Sequence, residues 1–282
     1  KGYESTYEQH ITKTAEENFY YSPFLKLPPQ LTSKEKDSLR QAAKEIVLEQ
    51  LIPAFQFVKR FFEETYYPNT RTTLGVSETP NGASYYQSRI NYFTTLDETP
   101  KSIHQKGLQE VARIRKKMED IVKKVKFKGD LKAFIAFLRT DPQFYATTPE
   151  ELLKHARNIA KKLDEQLPRY FKTLPRKPYG VAPVPAAIAP KYTGGRYVGT
   201  SKNSTEPGYY WVNTYYLPSR TLYTIPALTA HEAVPGHHLQ ISLNNELPET
   251  IPSFRRRLYL SAYGEGWGLY SEYLAEEMNI YT

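Results

Sequence analysis

The sequence predicts a mainly α-helical fold with a small, irregular β region. Three observations carry that reading. Residues 32–171 consist largely of capped stretches with apolar side chains at helical spacing. Residues 175–225 abandon that spacing for prolines, glycines and tyrosines. Two more helical stretches follow, near residues 226–244 and 252–277. No internal repeat is visible. Residues 1–282 therefore read as one helical region, with the 175–225 segment and its short strands inserted before the last helices.

The first thirty residues are aromatic and end in Leu27-Pro28-Pro29. Thr32-Ser33-Lys34-Glu35 has the form of a capping box. It opens a helix with Leu39, Ala42, Ala43, Ile46, Val47 and Leu51 on one side, continuing to Phe61, and Pro53 predicts a kink in it. Pro80-Asn81-Gly82-Ala83 is a turn, and residues 84–93 fit either a helix or an extended segment. Thr99-Pro100 starts a helix to about Val125, striped by Ile103, Leu108, Val111, Ile114, Met118, Ile121 and Val122. A short amphipathic helix covers 131–138, and Thr148-Pro149-Glu150-Glu151 opens another to about Phe171. Five prolines between Pro175 and Pro190 then break the pattern. Tyr209 to Tyr216 is aromatic and reads as a strand.

Composition narrows the function. At 282 residues the chain can bury a large core. It has no cysteine, which excludes disulfides and thiolate metal sites and leaves any metal to histidines and carboxylates. The net charge of +8 is spread along helices such as Arg113-Ile114-Arg115-Lys116-Lys117, with no basic tract interleaved with aromatics. Nucleic acid is therefore not an expected partner. No apolar run has the length of a membrane span, so no transmembrane segment is expected. The chain begins at Lys1 without a signal-peptide pattern and ends just after a helical stretch, and it reads as a piece of a longer protein. The 24 tyrosines suit a wet groove lined with hydroxyls, while a species-level preference for tyrosine accounts for most of them equally well or better.

Chemistry concentrates in one place. His231-Glu232-Ala233-Val234-Pro235-Gly236-His237-His238 holds three of the six histidines. A Glu-rich stretch, Glu265-Gly266-Trp267 to Glu272, lies downstream. Imidazoles and carboxylates at close range are the donors a catalytic zinc needs, with one extra carboxylate to accept a proton from water. The usual zinc-hydrolase helix sets two histidines four apart. Here that position is Pro235, which cannot ligate. Six helical steps put His237 about 120° off the face of His231, and seven bring His238 within about 20° but about 10 Å along the axis. Pro235-Gly236 lets the helix bulge, and two extra residues would return His237 to the four-step place. His237 is thus the expected ligand beside His231, with His238 an alternative or supporting group. Glu232 is the expected general base. Glu265, 28 residues after His237, is the expected third ligand, brought back by a return helix, and Glu272 seven later is a supporting partner or alternative ligand. One Zn2+ per chain is the implied cofactor.

These residues resemble a known family. His231 to Gln240, with Tyr263 to Glu272, is similar to a bacterial family of unknown function, DUF885. The likeness extends to Gly82-Ala83-Ser84-Tyr85-Tyr86, Thr99-Pro100, Pro178-Tyr179-Gly180-Val181 and Pro207-Gly208 with Val212-Asn213. That family in turn resembles the neurolysin and thimet-oligopeptidase group of zinc metallopeptidases. The resemblance implies a neurolysin-like helical fold, His231, His237 and Glu265 as ligands, and Glu232 as base. The two residues inserted before Gly236 leave the choice between His237 and His238 open. Relatives of this kind look like exported cell-envelope or periplasmic proteins, some of them lipoproteins, and are longer on both sides.

The reading is then a zinc-dependent hydrolase, a peptidase acting on short peptide substrates. Its rivals are an ester or amide hydrolase on the same scaffold, and a non-catalytic protein that binds peptide or sugar. In related peptidases an edge strand ahead of the metal helix pairs with substrate. That makes Tyr210, Asn213, Tyr215 and Arg220 the candidate substrate contacts.

Overall fold

The computed structural model describes residues 2–281, which fall into two compact units, Lys1–Gly82 and Ala83–Thr282. In the first unit, Thr32 caps helix α1 (Ser33–Ile46), exchanging hydrogen bonds with Glu35 as a capping box. The chain then widens into a π turn, Val47–Leu51, before α2 (Ile52–Arg60). Pro53 lacks the amide that would continue the ladder, so the expected kink takes the form of this π turn just upstream. Ala15, Tyr21, Ala43, Val47 and Ile52 form the buried core of this unit.

The second unit carries the site. Residues 82–94 are helical, forming α3 (Gly82–Thr94). Thr99 caps α4 (Pro100–Lys124), whose apolar stripe at Leu108, Val111, Ile114, Met118 and Ile121 is exposed. Asp130 caps α5 (Leu131–Thr140) and Thr148 caps α6 (Pro149–Tyr170). One face of α6 is buried from Leu152 to Leu167, and each fully buried leucine there, Leu152 and Leu163, contributes roughly 1.5–3 kcal/mol.

The 175–225 segment forms a three-stranded sheet of β1 (Tyr179–Pro183), β2 (Gly195–Val198) and β3 (Gly208–Val212). The order is β1-β3-β2, with β3 parallel to β1 and antiparallel to β2. This corrects the sequence expectation of an edge strand at 209–216. The strand is central, paired on both sides, and stops at Val212. It stops because the Asn213 side chain turns the chain, donating to the carbonyls of Ala189, Tyr192 and Thr193 and accepting from the Tyr215 amide.

Four helices complete the unit: α7 (Ile225–Glu232), α8 (His237–Asn245), α9 (Ser253–Arg257) and α10 (Ser261–Glu277). Helix α7 is held from several sides. Ala230 packs with Leu163, Leu239 and Leu274 in one core, and Ile225 packs with Leu152, Tyr210 and Val212 in another. The class is mainly α with one small sheet. No helix among the described residues is long and apolar enough to cross a membrane.

Candidate metal centre

The site begins where α7 fails. After Glu232 the backbone leaves helical dihedrals at Ala233 (φ −92°, ψ −105°) and re-enters the helix after Gly236. Across the break the Gly236 amide donates to the Ala230 carbonyl at 3.0 Å, six residues back instead of four. Two residues are thereby looped out, and His237 occupies the place of a four-step partner to His231. Gly236 is required here by close approach, since a Cβ would lie 1.8 Å from the His231 carbonyl oxygen. Trp267 on α10 fixes the loop from outside, its indole N–H donating to the Pro235 carbonyl at 2.8 Å.

The result brings together His231, His237 and Glu265, each offering one donor atom, all within 4.8 Å of one another. Glu265 Oε2 lies 3.5 Å from His231 Nε2 and 3.7 Å from His237 Nε2. The two rings are nearly perpendicular at 4.7 Å between centroids. Donors held about 2.0–2.1 Å from a tetrahedral zinc sit about 3.3 Å apart, so this donor set fits a zinc ion. The His231 ring lies flat on Gly268 of α10, where a Cβ would come within 2.6 Å of it. Its Nδ1 faces Glu272 Oε1 at 2.8 Å, which leaves Nε2 free toward the cluster. Nδ1 of His237 and Oε1 of Gln240 are both buried without a hydrogen-bond partner, and the nearby Gln240 acts to raise the ring's pKa. Burial outweighs that and holds His237 below the ordinary histidine range, in the neutral form that ligates.

Glu232 is 9% exposed, and its Oε2 accepts from the Tyr197 amide of β2 at 2.7 Å. Burial pushes its carboxyl above the ordinary range, and Glu265 adds to this against the Tyr197 amide, His231 and Arg196. Glu265 has a side chain 62% exposed, so the cluster opens to solvent on its side. Its Oε1 accepts from the Tyr259 hydroxyl at 3.2 Å.

His238 sits elsewhere. It is 1% exposed, with Nδ1 against the Tyr197 hydroxyl at 3.0 Å and Ser242 Oγ at 3.2 Å. Burial lowers its pKa to about 4, so the ring is neutral and ties α8 to β2. Of the substrate candidates, Tyr210 and Asn213 are 0% exposed and cannot touch a ligand. Tyr210 lies in the core because its own strand is central and its ring packs with Leu152, Ile225 and Ala233, and every polar atom of the Asn213 side chain is spent on the turn. Tyr215 is exposed and Arg220 half-buried, and neither belongs to the donor cluster. Tyr197, Arg196, Tyr259 and Trp267 are the neighbours that sequence reasoning missed as site residues. Tyr197 and Arg196 had no signal, since a backbone amide on a distant strand leaves none. Tyr259, six residues before Glu265, was open to inspection.

One helical scaffold thus gathers two imidazoles and an open carboxylate whose donor atoms could hold a metal ion, with a buried glutamate beside them. The chain belongs to a family described as "Bacterial protein of unknown function (DUF885)", whose model matches residues 3–282. It is similar to a solved structure, "the putative lipoprotein from Colwellia psychrerythraea", at 31% identity and a TM-score of 0.87. The match covers 98% of this chain and 48% of the other, so this chain spans about half that protein's length. No curated protein matches it.

Proposed function

We propose that this chain carries the centre of a zinc-dependent hydrolase that cleaves short peptides. His231, His237 and Glu265 would hold one zinc ion. The observation that carries the reading is the donor spacing of 3.5 and 3.7 Å around Glu265 Oε2, close to the separation a tetrahedral zinc imposes. The resemblance to the neurolysin group supports the same assignment. A zinc ion bound there supplies a Lewis acid that makes water a nucleophile near neutral pH.

The chain's own residues do the rest. Glu232 accepts the proton: the Tyr197 amide fixes Oε2, which leaves Oε1 to receive it. Tyr259 steadies the Glu265 carboxylate through its second oxygen. β2 is an edge strand of the sheet, and an extended peptide would lie beside it, although the Tyr197 amide is taken by Glu232. A site that only stabilised the fold would be closed by a fourth protein donor, and the exposure of Glu265 argues for an open position. The name of the Colwellia protein supports a cell-envelope location for this one as well.

The test is metal analysis of the intact protein beside a mixed-peptide digest read by mass spectrometry. One zinc per chain is expected, with cleavage lost to a chelator and restored by zinc. Protein that binds no stoichiometric metal, or that holds zinc and cuts nothing in the mixture, refutes the proposal.

Glu272 provides a second check. Removing the acceptor on His231 Nδ1 frees the ring to turn, at a cost of about 10–100-fold in metal affinity. Glu272→Ala should therefore weaken zinc binding by that factor, and Glu272→Gln, which keeps an acceptor, by less. Competition with a chelating dye measures both.

A further inference from the structure

The edge of the sheet points to what the site selects. In the β2–β3 pairing, the Asn213 amide donates to the Gly194 carbonyl at 2.9 Å, which sets the alternation along β2. Arg196 turns its backbone groups toward β3. Gly195 and Tyr197 turn theirs toward the free edge. The Tyr197 amide confirms this parity, since it reaches Glu232 and not a strand. The free edge of β2 therefore runs beside the proposed base.

Side chains alternate across the faces of the same strand. Tyr197 is buried toward His238 and Ser242 of α8. Arg196 takes the opposite face and is exposed. It stands one residue, about 3.3 Å along the strand, from the amide that holds Glu232. Its positive charge acts on Glu232, His237 and Tyr259, adding to the effect of burial at His237 and opposing it at Glu232 and Tyr259, which burial raises overall. Among the described residues no carboxylate forms an ion pair with it. An exposed cation without an ion pair, one residue from the amide that holds the proposed base, has the chemistry of an anion receptor. The planar guanidinium matches a carboxylate through two parallel hydrogen bonds.

We propose that Arg196 is the specificity-determining residue of this site, binding a carboxylate of the peptide substrate close to the scissile bond. This rests on the hydrolase reading above. Two sources share the chemistry, the free C-terminus of a short peptide and the side chain of Asp or Glu. The short distance along the strand from Glu232 confines either one to within a residue or two of the cut.

The test measures binding, so it does not depend on turnover. The intact Glu232→Gln protein, loaded with zinc, is titrated calorimetrically with three tetrapeptides of one core sequence: the free acid, the C-terminal amide, and the amide with Glu at its last position. The acid, the Glu-bearing amide or both should bind at least about 10-fold more tightly than the plain amide, as a charge-assisted pair provides. Which of them does so identifies the source. Adding Arg196→Gln should reduce that preference to within about twofold, and Arg196→Lys should keep part of it, because the charge remains and the fork is lost. Equal binding of all three peptides, no binding of any, or a preference that survives Arg196→Gln overturns the proposal. The wild-type digest reports separately on the hydrolase reading. Zinc-dependent cleavage indifferent to the terminal carboxylate leaves that reading standing and removes only the role of Arg196.

Discussion

Glu232→Gln is expected to leave zinc bound at one per chain and to lower kcat/KM for peptide cleavage by about 10²–10⁴-fold, the usual contribution of a positioned general base. The geometry makes this substitution clean. The side chain is 9% exposed and fixed by a single short hydrogen bond from the Tyr197 amide. A glutamine carbonyl accepts that bond equally well, so the side chain keeps its place while losing the ability to take a proton. It also relieves the burial of a charged group, which is the main cause of the raised carboxyl pKa, so the variant should fold at least as well as the parent. Stability and metal content are therefore controls that must hold while activity falls. Glu232 stands outside the donor cluster, whereas His231, His237 and Glu265 lie within 4.8 Å of one another. His231→Ala should lose metal and activity together, and Glu232→Gln should lose activity alone. If both lost metal, Glu232 would be a ligand. If Glu232→Gln kept full activity, the base would be another group.

Some of this was legible in the chain and some was not, for physical reasons. The helices announced themselves through local chemistry: Thr32, Thr99 and Thr148 each accept from the amide three residues on, an interaction written within four residues of sequence. The looped-out pair before His237 was legible for the same reason, because a proline followed by glycine is a local backbone instruction. The sheet was not. A strand rich in Tyr and Trp suits an edge and a centre equally, and only the pairing of β3 with both β1 and β2 decided it. Tyr210 and Asn213 were misplaced as substrate contacts because burial depends on those partners. The partner of Glu232 was invisible because it is a backbone amide 35 residues away, and every non-proline residue has one. The stripe on α4 shows the reverse: its helical period is clear, yet Val111 is 65% exposed, so periodicity gave the helix without its packing.

Gly236→Ala should unfold the centre from within. A methyl group at this position would stand 1.8 Å from the His231 carbonyl oxygen and 2.5 Å from that of Ala230. Both are backbone atoms of α7, held by packing on α6 and α10, so no side chain can swing aside to make room. The same closeness lets the Gly236 amide bond the Ala230 carbonyl, the contact that closes the loop and returns His237 to the face of His231. Relieving the clash must open that loop, break the hydrogen bond and move His237 away from Glu265. Overpacking against rigid backbone costs about 1–3 kcal/mol, and the lost buried hydrogen bond adds about 1 kcal/mol. For a unit of this size each kcal/mol is worth about 2–4 °C of melting temperature, so a fall of roughly 5–15 °C is expected, with zinc affinity falling alongside it. Gly107 on α4 supplies the contrast. A Cβ there meets nothing within 4 Å, and alanine in a helix interior is favoured over glycine by about 1 kcal/mol, so Gly107→Ala should hold or raise the melting temperature. Scanning calorimetry and a zinc titration on both variants decide the matter. A Gly236→Ala protein with unchanged melting and unchanged metal binding would mean that the break in the helix does not set the position of His237.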